Sequence, residues 1–292
     1  MQTDRRSLLK GLAAAAATTV VAAPAAVAAK PRSAPADARG LLYDATKCIG
    51  CKACVVGCKK VSDLKTDPTS YGGGIYDASD GLNEYTRTII QLYHEGDETS
   101  FVKKQCMHCI DPGCVNACML GALQKGQYGI VSWEASRCVG CRYCQVACPF
   151  EVPQFEWTKT SPRIVKCDLC KDRIAEGKQP ACSEACPRGA IQYGTREDLL
   201  KEARSRIDAQ PDLYVNHIYG EHELGGTQVL YLAAVEFEKL GFRFDDTTPV
   251  PAIQRRAQRQ VYAPLALFAL VGGLTFRSRR QQERRDGDQG DK

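Results

Sequence analysis

The sequence predicts an α+β fold built from two copies of a small cysteine-bearing module, with loop insertions and one C-terminal transmembrane helix. Three observations carry this expectation. All 16 cysteines fall into four groups, with none left over. The run KCIGCKACVVGC at Lys47–Cys58 returns ninety residues later as RCVGCRYCQVAC, an internal repeat that marks a duplicated unit. An apolar run, Val261 to Phe276, stands near the C-terminus. The 292 residues suffice for one or two domains with a real core.

The chain opens with Asp4-Arg5-Arg6-Ser7-Leu8-Leu9-Lys10, an Ala/Val-rich run, and small residues at Ala26-Val27-Ala28. Paired arginines before an apolar run are the twin-arginine (Tat) pattern, and the small residues suit cleavage. Residues 1–28 therefore read as a Tat signal peptide, against an ordinary secretory signal or an anchor helix. Three cations and one anion precede residue 30, and nine cations and four anions follow residue 251. With a total of +5, the middle of the chain is left at −2. No basic face is implied, and so no electrostatic footprint for nucleic acid.

The body, residues 29–246, carries the cysteines. Group one is Cys48, Cys51, Cys54 and Cys58; group two is Cys106, Cys109, Cys114 and Cys118. Group three is Cys138, Cys141, Cys144 and Cys148; group four is Cys167, Cys170, Cys182 and Cys186. Groups one and three are compact, C-x2-C-x2-C-x3-C, and groups two and four have a longer middle spacer. An exported chain with an even count would suit disulfides, but a CxxC in every group is more typical of redox or metal chemistry. Zinc usually draws on two CxxC pairs, whereas the compact groups add a third cysteine two residues on. The compact spacing is the bacterial ferredoxin run, in which three thiolates hold one [4Fe–4S] cluster and the fourth ligates the other cluster of a pair. Sixteen ligands divide into four complete clusters, which leaves no open iron site for a catalytic iron–sulfur enzyme. A Tat signal agrees, because that pathway exports proteins already folded around cofactors.

Gly50, Ala53 and Gly57 are small enough to let backbone close around such a core. Proline follows the last cysteine in groups three and four, Pro149 and Pro187, whereas groups one and two carry Lys59 and Met119 there. Lys59 is read either as a charge that raises a neighbouring potential or as a solvated surface residue. Between groups one and two lies an insertion with Tyr71, Gly72-Gly73-Gly74, Tyr76 and Tyr85, which either docks on a partner or packs on the core. Within it, Tyr85–Tyr93 (YTRTIIQLY) is rich in strand formers. Gly121-Ala122-Leu123, Gly126 and Gly129-Ile130-Val131 predict a hairpin leading into group three. Gly189–Gln192 predicts a strand, followed by a helix from an N-cap at Thr195 to about Ile207. Gln228–Leu232 predicts a strand, then a short helix near Ala233–Leu240.

Residues 247–260 read as a linker and 261–276 as the anchor. Sixteen residues make about 24 Å of helix, short against a hydrocarbon core of about 30 Å. Arg255, Arg256 and Arg259 precede the run, and Arg277, Arg279, Arg280, Arg284 and Arg285 follow it. Long side chains reach outward and extend the span. The larger cluster follows, which leaves the tail 277–292 cytoplasmic and the body outside. An amphipathic or buried helix is the alternative. His108 lies inside Cys106-Met107-His108-Cys109, so no CxxCH haem site exists. It reads as a neighbour of the ligands or a surface residue. His222 in YGEHELGG reads as a packed polar loop residue in preference to a ligand. No catalytic constellation for a substrate is present.

At this point the chain resembles the four-cluster ferredoxin-like electron-transfer subunits of respiratory complexes. Within them it is similar to the membrane-anchored iron–sulfur subunits of the hydrogenase-2 type. The resemblance covers nearly the whole chain: the signal, the four cysteine groups, the segment Tyr219–Thr227 and the C-terminal run. It implies interlocked groups. Cys48, Cys51 and Cys54 would share a cluster with Cys186, and Cys167, Cys170 and Cys182 with Cys58. Cys106, Cys109 and Cys114 would share one with Cys148, and Cys138, Cys141 and Cys144 with Cys118. It further implies four [4Fe–4S] clusters, and electrons passed from a periplasmic nickel–iron hydrogenase to a quinone-reactive integral membrane subunit in anaerobic respiration. The chain would be no enzyme by itself. The electron-transfer subunit of a molybdopterin oxidoreductase such as formate dehydrogenase is the alternative. A protein in which clusters merely staple a small core would leave the metal redox-silent.

Overall fold

The computed structural model describes residues 33–68, 81–242, 248–251 and 267–281. The signal 1–28 and Gly72–Gly74 lie outside the described residues, as does the start of the apolar run. The chain forms two compact units, residues 31–253 and residues 1–30 with 254–292.

In the larger unit, β1 (Arg39–Asp44) is the middle strand of a three-stranded sheet. It runs antiparallel to β8 (Ile191–Thr195) and parallel to β9 (Val229–Leu232). Gly40–Asp44 and all four residues of β9 are buried, as strands covered on both faces require. Side chains alternate across the sheet. Leu42, Leu230 and Leu232 face the helix α6 (Arg196–Ala209), meeting Leu199, Ala203 and Ile207. Those three helix residues recur every four positions and form one stripe. Each fully buried leucine is worth about 1.5–3 kcal/mol. Leu41, Tyr43, Val229 and Tyr231 point the other way, into a core shared with cysteines.

Helix α6 starts where Thr195 caps it, with the Asp198 backbone N–H donating to Thr195 Oγ1 at 3.1 Å. The sheet is pinned by Asp44, wholly buried, whose Oδ2 accepts from Arg206 Nη1 and the Tyr214 hydroxyl, each at 2.9 Å.

The hairpin after group two is present as β4 (Leu123–Lys125) and β5 (Val131–Trp133). The strand expected over Tyr85–Tyr93 is shifted: β2 (Ile89–Glu95) pairs with β3 (Glu98–Lys104), while Asn83 and Thr86 form an isolated bridge. The Asn83 side chain accepts from the Tyr85 backbone N–H, so local turn chemistry holds the first residues out of the strand. A short pair, β6 (Gln154–Phe155) with β7 (Ile164–Val165), links groups three and four.

The short helix expected near Ala233–Leu240 does not form; the segment is a series of bends and turns. Its apolar residues are instead spent on the core. Phe237 and Phe242 stack with Tyr219 at ring-centroid distances of 5.3 and 4.6 Å.

Of the smaller unit, residues 267–281 are described, as a helix whose Leu267, Phe268, Leu270, Leu274 and Phe276 are exposed. Among the described residues no helix is long and apolar enough to cross a membrane.

Candidate iron–sulfur centres

Cys54, Cys58, Cys114, Cys144 and Cys182 lie on two pairs of short helices, and the other cysteines on the loops that flank them. In the first pair, α1 (Ala53–Val61) packs on α5 (Ala181–Glu184), which follows the short α4 (Lys171–Ala175). In the second, α2 (Gly113–Asn116) packs on α3 (Tyr143–Val146). Both approaches require a missing side chain. A Cβ on Gly57 would lie 3.0 Å from the Ala181 carbonyl, and one on Gly113 2.7 Å from that of Ala147. The two compact groups repeat in conformation as in sequence: Lys52 and Arg142, each following a CxxC, take left-handed φ of 57° and 64° before their helices begin.

These pairs gather the thiols into four sets. Cys48, Cys51, Cys54 and Cys186 line one small open pocket together with Tyr43 and Ile90. Cys58, one turn beyond Cys54, is flanked by Cys182 and Cys170, and Cys167 by Cys58 and Cys182. Cys109 is surrounded by Cys148, Cys114 and Cys106. Cys144 is surrounded by Cys141, Cys118 and Cys138. Helices α1 and α5 join the first set to the second, and α2 and α3 join the third to the fourth. Cys106 and Cys167 share one apolar cluster and so join the second to the third. The sets are therefore connected in series, first to second, second to third and third to fourth. The exposed thiols, Cys51 and Cys141, belong to the two outer sets.

All 16 thiols are free, and among the described residues no three metal-binding side chains converge as a single ion requires. Burial pushes Cys54 and Cys58 up to about 12, with Lys103 opposing. Burial also pushes Cys144 to about 12 and Cys148 to about 11, and holds Cys109 and Cys167 well above the ordinary thiol value. Such thiols hold their protons until metal replaces them, so metal binding releases protons.

Seven buried side-chain polar atoms among the described residues lack a hydrogen-bond partner, and five are nitrogens: Arg87 Nε, Gln105 Nε2, His108 Nε2, Trp133 Nε1 and Arg142 Nε. All five stand by the thiols. Gln105 borders Cys106 and His108 borders Cys109, Arg142 follows Cys141, Trp133 packs on the same apolar cluster as Cys118 and Cys138, and the Arg87 charge acts on Cys58 and Cys167. Buried donors left without partners cost about 1–3 kcal/mol each. A negatively charged, sulfur-rich group among the thiols would supply acceptors to such donors, so the residues present fit [4Fe–4S] clusters.

Cations complete the surroundings, Lys103 and Lys166 buried and Lys125 half-buried, and sequence reasoning missed most of them. Lys103 Nζ donates to Thr88 Oγ1 at 2.6 Å and to Gln105 Oε1. Lys125 Nζ donates to the carbonyls of Cys109 and Ile110 at 2.7 and 2.8 Å. Lys166 Nζ donates to those of Val131 and Cys167 at 2.5 and 2.8 Å. Their one sequence signal is adjacency: Lys166 abuts Cys167, and Lys103 lies three residues before Cys106. Lys59 is corrected from the solvated alternative, since it is buried at 1% exposure. His108 is fully buried; burial first, then Lys166 and Lys125, hold its imidazole well below the ordinary histidine value. His222 is exposed beside Glu221, and the residue that organises its loop is Glu223. The buried Glu223 carboxylate accepts from the Gly220 backbone N–H at 2.6 Å and pairs with His217.

Comparison with known proteins defines the class first. The 4Fe–4S dicluster domain model matches residues 98–196, which span groups two, three and four, and the chain carries [4Fe–4S] clusters. The chain is 35% identical over 325 residues to the hydrogenase-2 operon protein HybA of Escherichia coli O157:H7, covering 99% of this chain and 98% of that protein. It is 37% identical over 198 residues to the formate dehydrogenase iron–sulfur subunit of Haemophilus influenzae, covering 65% and 63%. The nitrate-inducible formate dehydrogenase iron–sulfur subunit of Escherichia coli gives 37%, covering 65% and 66%. The chain belongs to this family of ferredoxin-like electron-transfer iron–sulfur subunits.

Proposed function

We propose that this chain is an electron conductor holding four [4Fe–4S] clusters between a periplasmic nickel–iron hydrogenase and a quinone-reactive integral membrane subunit. The observation that carries the proposal is that thiols from different cysteine groups meet and connect in series, with the exposed thiols Cys51 and Cys141 in the two outer groupings. The clusters these residues would hold would supply one-electron transfer. The ligand sets are Cys48, Cys51, Cys54, Cys186; Cys58, Cys167, Cys170, Cys182; Cys106, Cys109, Cys114, Cys148; and Cys118, Cys138, Cys141, Cys144.

The protein's part is to hold these thiolates, keep water from the inner two sets and set each potential through charge and hydrogen bonds. Met119, Leu120, Val139, Tyr143 and Val146 are exposed around the fourth set, an apolar surface suited to a protein partner. Similarity to the HybA protein along nearly the whole chain supports hydrogenase as the electron source; a formate dehydrogenase-type complex is the second reading, supported by the shared central region. The Tat signal over 1–28 would deliver the folded body to the periplasmic face. A single span over 261–276 would tether it there, with the tail 277–292 cytoplasmic.

Membranes with and without the chain test this. Deleting it abolishes hydrogen-dependent quinone reduction and leaves formate-dependent reduction intact. Loss of the formate activity alone would transfer the assignment to the second reading.

A further inference from the structure

Positions His108 and Leu169 correspond in the duplicated module: each precedes the second cysteine of a stretched group, in CMHC and CDLC. Both take a left-handed backbone, φ 48° and 54°, and both are buried, at 0% and 1% exposure. The chemistry differs. Leu169 carries no polar atom. His108 accepts the Val131 backbone N–H at Nδ1, 3.0 Å away, which places the ring proton on Nε2. That Nε2–H is a buried donor without a partner among the described residues. Burying an unsatisfied donor is costly, and the chain could have used leucine here, as it does at 169.

We propose that His108 donates its Nε2–H to a sulfur of the cluster held by Cys106, Cys109, Cys114 and Cys148, and so raises the reduction potential of that one cluster. The inference rests on the four-cluster reading above. A donor hydrogen bond stabilises the more negative, reduced state more than the oxidised one, which favours reduction. His108 is a positioning and tuning residue; it carries no electron. Lys125 holds the carbonyls of Cys109 and Ile110 just after it, and Lys166 holds the carbonyl of Val131, whose N–H the ring accepts. Leu169 leaves the neighbouring set without the same donor.

The test uses the full chain, purified anaerobically with its clusters. A redox titration followed by EPR is run on the unmodified protein, on His108→Leu and on His108→Gln, whose side-chain amide nitrogen restores a donor in place of Nε2. The Leu variant is expected to disfavour reduction of one cluster about tenfold, a 59 mV drop for a one-electron couple. The other clusters stay unmoved, and the Gln variant recovers most of the shift. In protein labelled with ¹⁵N-histidine, pulsed EPR of the reduced state should show one weakly coupled nitrogen that the Leu variant lacks. An unchanged midpoint in a His108→Leu protein with full iron, or no histidine coupling in the unmodified protein, overturns the proposal. If the Leu variant fails to hold its iron, the coupling in the unmodified protein decides. Iron and sulfide analysis keeps the two readings apart. A chain without the Cys106 cluster overturns both, whereas a full count without nitrogen coupling overturns only the hydrogen bond.

Discussion

The first two thiol sets and the last two are built from the same repeat, yet they are closed in different ways. Cys106 and Cys148 are 42 residues apart, and their sets are gathered by one hairpin and two short helices. Cys58 and Cys167 are 109 residues apart. Their sets close because β1 pairs with β8 and α1 packs on α5. Loop length is not the decisive difference, since each doubling adds only about 0.6 kcal/mol of closure entropy. What differs is dependence. The first half rests on a three-stranded sheet and on α6 behind it; the second half is gathered by its own hairpin and short helices and meets the sheet where the Gln228 and Val229 backbone N–H groups donate to the Met107 carbonyl. Damage to the sheet should therefore reach Cys48–Cys58 and Cys167–Cys186 before it reaches the other eight thiols.

Cys58→Ala gives the largest expected effect. It removes a ligand from the second set alone, so iron should fall by about a quarter, from ~16 atoms to ~12. Complete loss of iron would show that the two halves fold as one. Leu230→Ala comes next. It empties a wholly buried site between the sheet and α6, and urea denaturation should report about 2–5 kcal/mol lost. On heating, iron from the first two sets should be released first; simultaneous release would erase the contrast between the halves. Asp44→Ala strands the Arg206 and Tyr214 groups that meet its carboxylate, at a cost of about 3 kcal/mol. It should weaken the same half without moving the EPR signals of the third and fourth sets. Smallest is Thr195→Ala, which removes the cap of α6 and should lower stability by about 1 kcal/mol.

Much of this was legible in the chain itself. The repeat and its spacing marked all 16 cysteines as four groups, while their interlocking followed only from the resemblance, and Thr195 announced the helix it caps. The hairpin before group three was readable because glycines bracket its strands. Two kinds of feature were not. The Ala233–Leu240 segment has helical composition, but Phe237 and Phe242 are drawn into the aromatic cluster around Tyr219, and tertiary packing overrides local preference. The buried cations were hidden because a lysine in a strand reads as solvent-facing. Lys103 is fully buried only because Thr88 and Gln105 receive its ammonium, and a partner 15 residues away has no local signature. His108 was seen as a choice between a neighbour of the ligands and a surface residue, which burial decides in favour of the first.

The central claim is that sixteen cysteines hold four redox-active cubanes. Anaerobic purification followed by iron, acid-labile sulfide and zinc analysis, with EPR during stepwise reduction, tests it most directly. About sixteen iron and sixteen sulfide per chain, with several interacting reduced signals, is the result this account predicts. Zinc without sulfide, or metal that never changes redox state, would contradict it and leave a structural role for the thiols.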